Sequence, residues 1–356
     1  MTTPLQSATV DRKVGPGEQA WRKLVLALAA FVIVPQLLRA FIPVEQTVYL
    51  LVPAVAACFL VGWWAGGRML VALLWVGLAA WLMWQRPGSA NGFYNLERGW
   101  SLLLAGSFGL TCLFGERRSL FTRALAALSI AVFLALAMSA MGPVPLSQAK
   151  QTIAAEFIRR NQEAMSGMNE FIAQHPALWN EWTTQLPWLA NMPASTEQQL
   201  TTLSRYGLTL FPSLLALESL ASLALAWSVY HRLSRARIGA PLRPLREFRF
   251  NDQLVWGLIV GLTTVFLPTL QNFRGVGRNL LVFFSALYAV RGLAVLAWFL
   301  APGALAAGLV VGFAMLLLPI IQIVAAVGFV LLLITAFGLG LGDTWADWRR
   351  RTRPSA

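Results

Sequence analysis

Apolar runs, most of them sixteen to twenty-four residues long and carrying few or no charges, recur along almost the whole chain. A helix crossing a hydrocarbon core about 30 Å thick needs about 20 such residues, whereas a soluble core needs no run of that kind. Backbone groups inside hydrocarbon must be satisfied within their own segment, so each run is bound to form a helix. The composition agrees, at 57% hydrophobic and 12% charged, where soluble domains carry about 25% charged residues. The chain is a polytopic membrane protein, and the lipid bilayer is its first partner.

Ten candidate spans follow: residues 24–42, 48–65, 69–84, 100–114, 120–141, 207–230, 254–271, 280–300, 303–319 and 321–341. The fold class expected is an all-α polytopic transmembrane helix bundle of about 10 spans. Fourteen of the fifteen tryptophans lie near a span end or in a loop, Trp75 being the exception, which is the aromatic-belt pattern. With the N-terminus inside, eighteen of the 28 Lys and Arg residues fall on the cytoplasmic side and eight outside, leaving Arg39 and Arg291 within spans. That bias predicts a multi-pass protein of the cell (inner) membrane with both termini cytoplasmic. A single helix over 303–341 would be about 58 Å long and would strand the basic tail outside, so a break at Pro319 is expected.

The chain divides into a polar tail (1–23), a five-span bundle (24–142), an extracytoplasmic insert (143–206), a second five-span bundle (207–342) and a basic tail (343–356). The run after the first tail lacks a small-residue cleavage site and is expected to stay as a span. In the insert, Ala154, Ile158, Met165, Met168 and Ile172 recur at helical spacing opposite Lys150, Glu156, Arg159, Arg160, Glu163 and Glu170. This predicts an amphipathic helix with the first set docked and the second solvated. Trp179, Trp182 and Trp188, interleaved with Pro176, Pro187 and Pro193, suit a bent segment at headgroup level. Ser195 with Gln198 forms a capping box placed to start the helix of the sixth span. The insert is a lid or spacer, or more sharply a substrate gate.

Chemistry-bearing residues are sparse. His175 and His231 lie in different compartments and Cys58 and Cys112 inside apolar runs, so no metal site or other cofactor is expected. The net charge of +13 sits beside spans without interleaved exposed aromatics, which excludes nucleic acid as a partner. Glu218 is the one acid clearly within a span and no His joins it, so no acid–base pair and no enzyme is expected. Charges at mid-depth cost about 2.5–3.5 kcal/mol each on insertion scales. Glu218 and Arg291 lie at equal offsets from the starts of spans running the same way, so they are expected to pair or to line one polar cavity. Asp343 and Asp347 share a helix face with Arg351 one turn on, an arrangement that together with Arg349 reads as a cytoplasmic anchor. Ala127, Ala131, Ala135 and Ser139 form a strip of small residues suited to close helix packing, as do Gly257 with Gly261 and Gly308 with Gly312.

From Phe248 to Arg351 the chain resembles a known family. The run RNLLVFFSALYAVRGLAVLAWF and the ending GLGDTWADWRRR are similar to the C-terminal half of the YybS-like family of uncharacterised bacterial membrane proteins. The resemblance rests on Asn279, Leu280 and Leu281, on Tyr288 with Gly292, Leu293, Ala294 and Val295, and on Gly340, Asp343, Asp347 and Arg349. Arg291 stands where that family carries Gln. The family is distantly similar to the membrane-embedded substrate-binding components of energy-coupling-factor vitamin transporters. The resemblance implies uptake of a small molecule, with Asn279 and Tyr288 joining Glu218 and Arg291 as substrate-binding or buried polar positions. It further implies docking on other membrane transporter subunits through the alanine strip. The function expected is binding or translocation of a small solute, and the alternative is a non-transporting membrane scaffold or assembly factor. A cavity among spans six to ten favours the first; a filled bundle with an apolar outer groove favours the second.

Overall fold

The computed structural model describes residues 21–37, 44–85, 92–114, 118–142, 145–234, 237–300, 303–316 and 322–348. Among them are twelve α-helices and no strand. They are α1 (Trp21–Leu37), α2 (Val44–Trp64), α3 (Met69–Trp84), α4 (Gly92–Phe114), α5 (Leu120–Met141), α6 (Leu146–Gln174), α7 (Pro176–Gln185), α8 (Met192–Leu233), α9 (Val255–Phe266), α10 (Arg274–Phe299), α11 (Ala304–Leu316) and α12 (Gln322–Ala346). Each apolar run has its own α-helix, and α6, α7 and the start of α8 make the insert. The helices α2, α5, α8, α10 and α12 are long and apolar enough to cross a membrane unaided, while α1, α3 and α9 supply shorter apolar stretches.

Local chemistry sets several boundaries. Ser119 caps α5 by accepting from the Thr122 N–H at 3.3 Å, and the helix stops at Gly142. Helix α4 starts well before the expected boundary at residue 100, since its first turn buries Phe93 against the insert; this brings Glu97 into the protein interior. The Ser195 capping box is not used. Helix α8 begins at Met192, with Pro193 in its first turn where a missing N–H costs nothing, and Ser195 donates back to the Met192 carbonyl inside the helix. The last part of the insert and the sixth span are thus one 42-residue helix, about 63 Å long and roughly twice the hydrocarbon thickness.

Helix α2 packs against α3, α4 and α8, while α10 packs against α8, α9 and α12. The shared core holds Phe59, Phe108, Trp227, Tyr230 and Tyr288. Large apolar side chains such as Leu74, Phe133 and Ile334 point outward, a distribution that only a lipid surround satisfies. The α10–α12 contact is the tightest. A methyl group added at Gly292 would collide with the Ala336 carbonyl, and one at Gly340 with the Tyr288 carbonyl, so the two backbones touch directly. Gly261 also meets its neighbour closely, at Leu281, whereas Gly308 and Gly312 face open space. Ala127 and Ala131 are fully buried and Ala135 half-buried, because α5 turns this strip toward its neighbours α4 and α8. The strip therefore offers no free surface to a coupling subunit at Ala127 and Ala131. Helices α11 and α12 pack on each other; Pro319 itself, like Arg349 and Arg351, lies outside the described residues.

Candidate functional site

Arg291 does not meet Glu218. Its Nε donates to Asp343 Oδ2 at 3.0 Å, its Nη2 to the Asp343 carbonyl at 3.1 Å, and its Nη1 to Asp252 Oδ1 at 2.5 Å. The guanidinium also sits 5.3 Å from the centre of the Phe250 ring. The Arg291 side chain is 3% exposed and that of Asp343 0%, while Asp252 remains 58% exposed. Tyr288, fully buried, completes this cluster edge-on to Phe250 with ring centres 5.1 Å apart. Asp347 pairs with Arg249, and its φ of +43° breaks the helical register there; the expected partner Arg351 lies outside the described residues. Glu218 is half-buried in α8, and its Oε1 has no hydrogen-bond partner among the described residues.

Asn279 has a specific structural task. Pro212 lies inside α8, and in a regular helix the Ser213 N–H would donate to the Thr209 carbonyl. Instead the Asn279 side chain of α10 stands between them. Its Oδ1 accepts from the Ser213 N–H at 3.0 Å, and its Nδ2 donates to the Thr209 carbonyl at 2.9 Å and to the Gly275 carbonyl at 2.9 Å. A neighbouring helix thereby satisfies the backbone groups that a proline disturbs, as a bilayer requires.

The ligand-sized space lies elsewhere, between α6 and the first half of α8. It is a groove of about 470 Å³, within the usual range for small-molecule sites. An aromatic cluster of Phe93, Phe157 and Phe211 anchors α6 beneath it, with Phe157 and Phe211 6.2 Å apart and perpendicular. Of the face its hydropathy predicts to dock, Ala154, Met165, Met168 and Ile172 are half-buried, whereas Ile158 is exposed and Glu156, expected to be solvated, is buried beside Phe157. Glu156 tolerates burial because Arg159 and Arg160 hold its carboxylate at 2.6 and 2.7 Å. The bond to Glu156 pushes the Arg159 pKa up. Further along, Asn161 Nδ2 fastens α6 to the Leu200 carbonyl of α8 at 3.3 Å. Asn161 and Ser204 both line the groove, and their Oδ1 and Oγ atoms are buried without a hydrogen-bond partner among the described residues. Ser204 is 8% exposed. Glu197 and Arg205 bring opposite charges to the rim, and Met165 and Leu200 supply apolar wall.

Besides Glu156, two buried charges escaped the sequence reading. Glu97 was hidden by a span boundary set too late, and Arg123, in the first turn of α5, by being grouped with the cytoplasmic basic residues. Arg123 is 1% exposed. It lies 5.3 Å from the Trp227 ring centre and against the Gly239 turn. That turn is fixed by Trp227 Nε1 donating to the Ala240 carbonyl at 3.0 Å and by the Ile238 N–H donating to Tyr230 Oη at 3.1 Å. From there Phe250 stacks on Phe121 at 5.5 Å, so one loop ties α5, α8 and α10 together.

Apolar helices with outward hydrophobic faces, a glycine-tight helix crossing and a buried ion-pair cluster define a multi-pass helical membrane protein. The chain belongs to the family described as "Predicted membrane protein (DUF2232)", whose profile matches residues 29–330. No curated protein and no solved structure matches it.

Proposed function

We propose that this protein is a solute-binding membrane component that captures a small molecule in the groove between α6 and α8. The observation that carries the proposal is the groove itself: ligand-sized, built on two anchored helices, and lined by Asn161 and Ser204, whose Oδ1 and Oγ are buried and without a hydrogen-bond partner among the described residues. Buried polar groups without partners cost about 1–3 kcal/mol each, a cost that a hydrogen-bonding solute removes. The Lys and Arg distribution supports a bacterial inner-membrane location with both termini cytoplasmic, which puts the groove on the outer face. The resemblance of 248–351 to the YybS-like family, and more distantly to vitamin-transporter binding components, supports uptake together with other transporter subunits. The close α10–α12 contact and the Arg291 cluster fill the C-terminal half where a cavity was expected. This favours the scaffold alternative over a conduction path there, but not over binding at the groove.

The test is native mass spectrometry of the full chain purified from its own membrane, comparing wild type with Ser204→Phe, which fills the groove. Small molecules held by the wild type and lost from the variant support the proposal. An identical set on both proteins overturns it.

A further inference from the structure

Resting on that groove reading, we infer that the solute is an elongated zwitterion, a linear peptide of three to four residues, held with its ammonium group at Glu197 and its carboxylate at Arg205. Both residues line the groove from α8. They stand eight residues apart, about 12 Å at 1.5 Å per residue, too far to pair with each other. Among the described residues neither forms an ion pair elsewhere. Charges of opposite sign at the two ends of one groove disfavour a polyanion at Glu197 and a polycation at Arg205. They select a molecule that is itself charged oppositely at its ends. An extended peptide advances about 3.3–3.6 Å per residue, so three to four residues cover the interval.

What lies between the charges matches a peptide backbone. Asn161 already uses its amide nitrogen on the Leu200 carbonyl, which leaves Oδ1 as an acceptor for a peptide N–H. Ser204, seven residues or about two turns along α8 from Glu197 and next to Arg205, offers Oγ as a donor to a peptide carbonyl near the carboxylate end. Met165 and Leu200 give small apolar side chains a wall. Recognition through termini and backbone, with only apolar contact to side chains, makes length the selected property and side-chain identity secondary.

The experiment is calorimetric titration of the full-length protein in lipid nanodiscs with tetra-alanine, its N-acetyl and C-amide derivatives, and di-alanine. Tetra-alanine is expected to bind; each terminal block should weaken it about tenfold or more, since a charge-assisted hydrogen bond contributes about 1.5–3 kcal/mol. Di-alanine, too short to reach both charges, should bind as weakly as the blocked peptides. In Glu197→Gln the penalty for N-acetylation should vanish, and in Arg205→Gln the penalty for amidation. Both side chains are exposed, so neither change threatens folding. Equal binding of blocked and free tetra-alanine overturns the zwitterion assignment, as does absence of tetra-alanine binding while some other molecule is lost from Ser204→Phe; in that second case the groove reading stands. If no molecule is sensitive to Ser204→Phe, both fall.

Discussion

Arg291→Met should be among the most damaging single changes in this protein, and Asp343 explains why. The Asp343 side chain is 0% exposed and meets Arg291 Nε at 3.0 Å, so removing the guanidinium leaves a buried carboxylate without its counter-charge. Such a loss costs about 3–5 kcal/mol. Asp343→Asn should cost less, about 2–3 kcal/mol, since Arg291 keeps Asp252 and the Asp343 carbonyl. The Asp252 arm is 58% exposed, and an exposed pair contributes at most about 1 kcal/mol. Independent effects would add to about 5–8 kcal/mol. The double variant should instead fall near the Arg291→Met value, a coupling of about 2 kcal/mol or more. Denaturant unfolding of all four proteins in mild detergent, followed by helicity, measures the cycle. A double variant equal to the sum of the singles within about 0.5 kcal/mol would refute a coupled buried pair. The same cycle run on Glu218→Gln and Arg291→Met should be additive, because those residues do not interact.

Gly292→Ala and Gly340→Ala should each lower stability by about 1–3 kcal/mol by forcing α10 and α12 apart, while Gly308→Ala, facing open space, should be silent; thermal melts in detergent separate the two classes. Asn279→Leu should cost about 1–3 kcal/mol through unpaired backbone groups in α8, and clearly less when Pro212→Ala restores helical continuity; an unchanged cost in the Pro212→Ala background counts against the splint. Phe157→Glu should expose the insert to added protease in intact cells, and Glu170→Gln should not; equal sensitivity argues against a docked α6. Reporter fusions at Ser119, Gly239 and Ala356 should read cytoplasmic and one at Gln185 external, and an external signal at Ala356 would remove the break at Pro319.

Helices flanked by charge were legible almost to the residue. Arg68 and Gln85 bracket α3, and Ser119 caps α5, so hydropathy and capping agree there. The continuity of α8 was not legible, since Ser195 and Gln198 make a good local cap that tertiary packing against α6 overrides. The Glu218–Arg291 pairing failed for a related reason. Depth was measured from hydropathy boundaries, but α8 begins at Met192 and α10 at Arg274, so equal offsets do not mean equal depth. The docked face of α6 was legible at Ala154, Met165, Met168 and Ile172 and misjudged at Ile158 and Glu156, since Glu156 counts as polar in any hydropathy pattern, whereas two arginines make its burial tolerable. Asn279, Tyr288, Gly292, Gly340 and Asp343 were singled out by family resemblance, and the structure brings the last four to one helix crossing. The groove had no sequence signal, because it exists only once α6 and α8 lie side by side.

The Arg291 cluster also constrains how the chain is made. Asp252 precedes Arg291 by 39 residues and Asp343 follows it by 52. At about 5–20 residues per second, the ribosome delivers Asp343 about 3–10 s after Arg291. During that interval α10 must enter the bilayer carrying a charge whose principal counter-ion does not yet exist. Of its two acids only Asp252, already in place ahead of α9, is then available. The exposed and energetically minor partner in the finished protein is therefore the one on which membrane integration of α10 depends, and its loss should show in the yield of inserted protein rather than in the stability of what has folded.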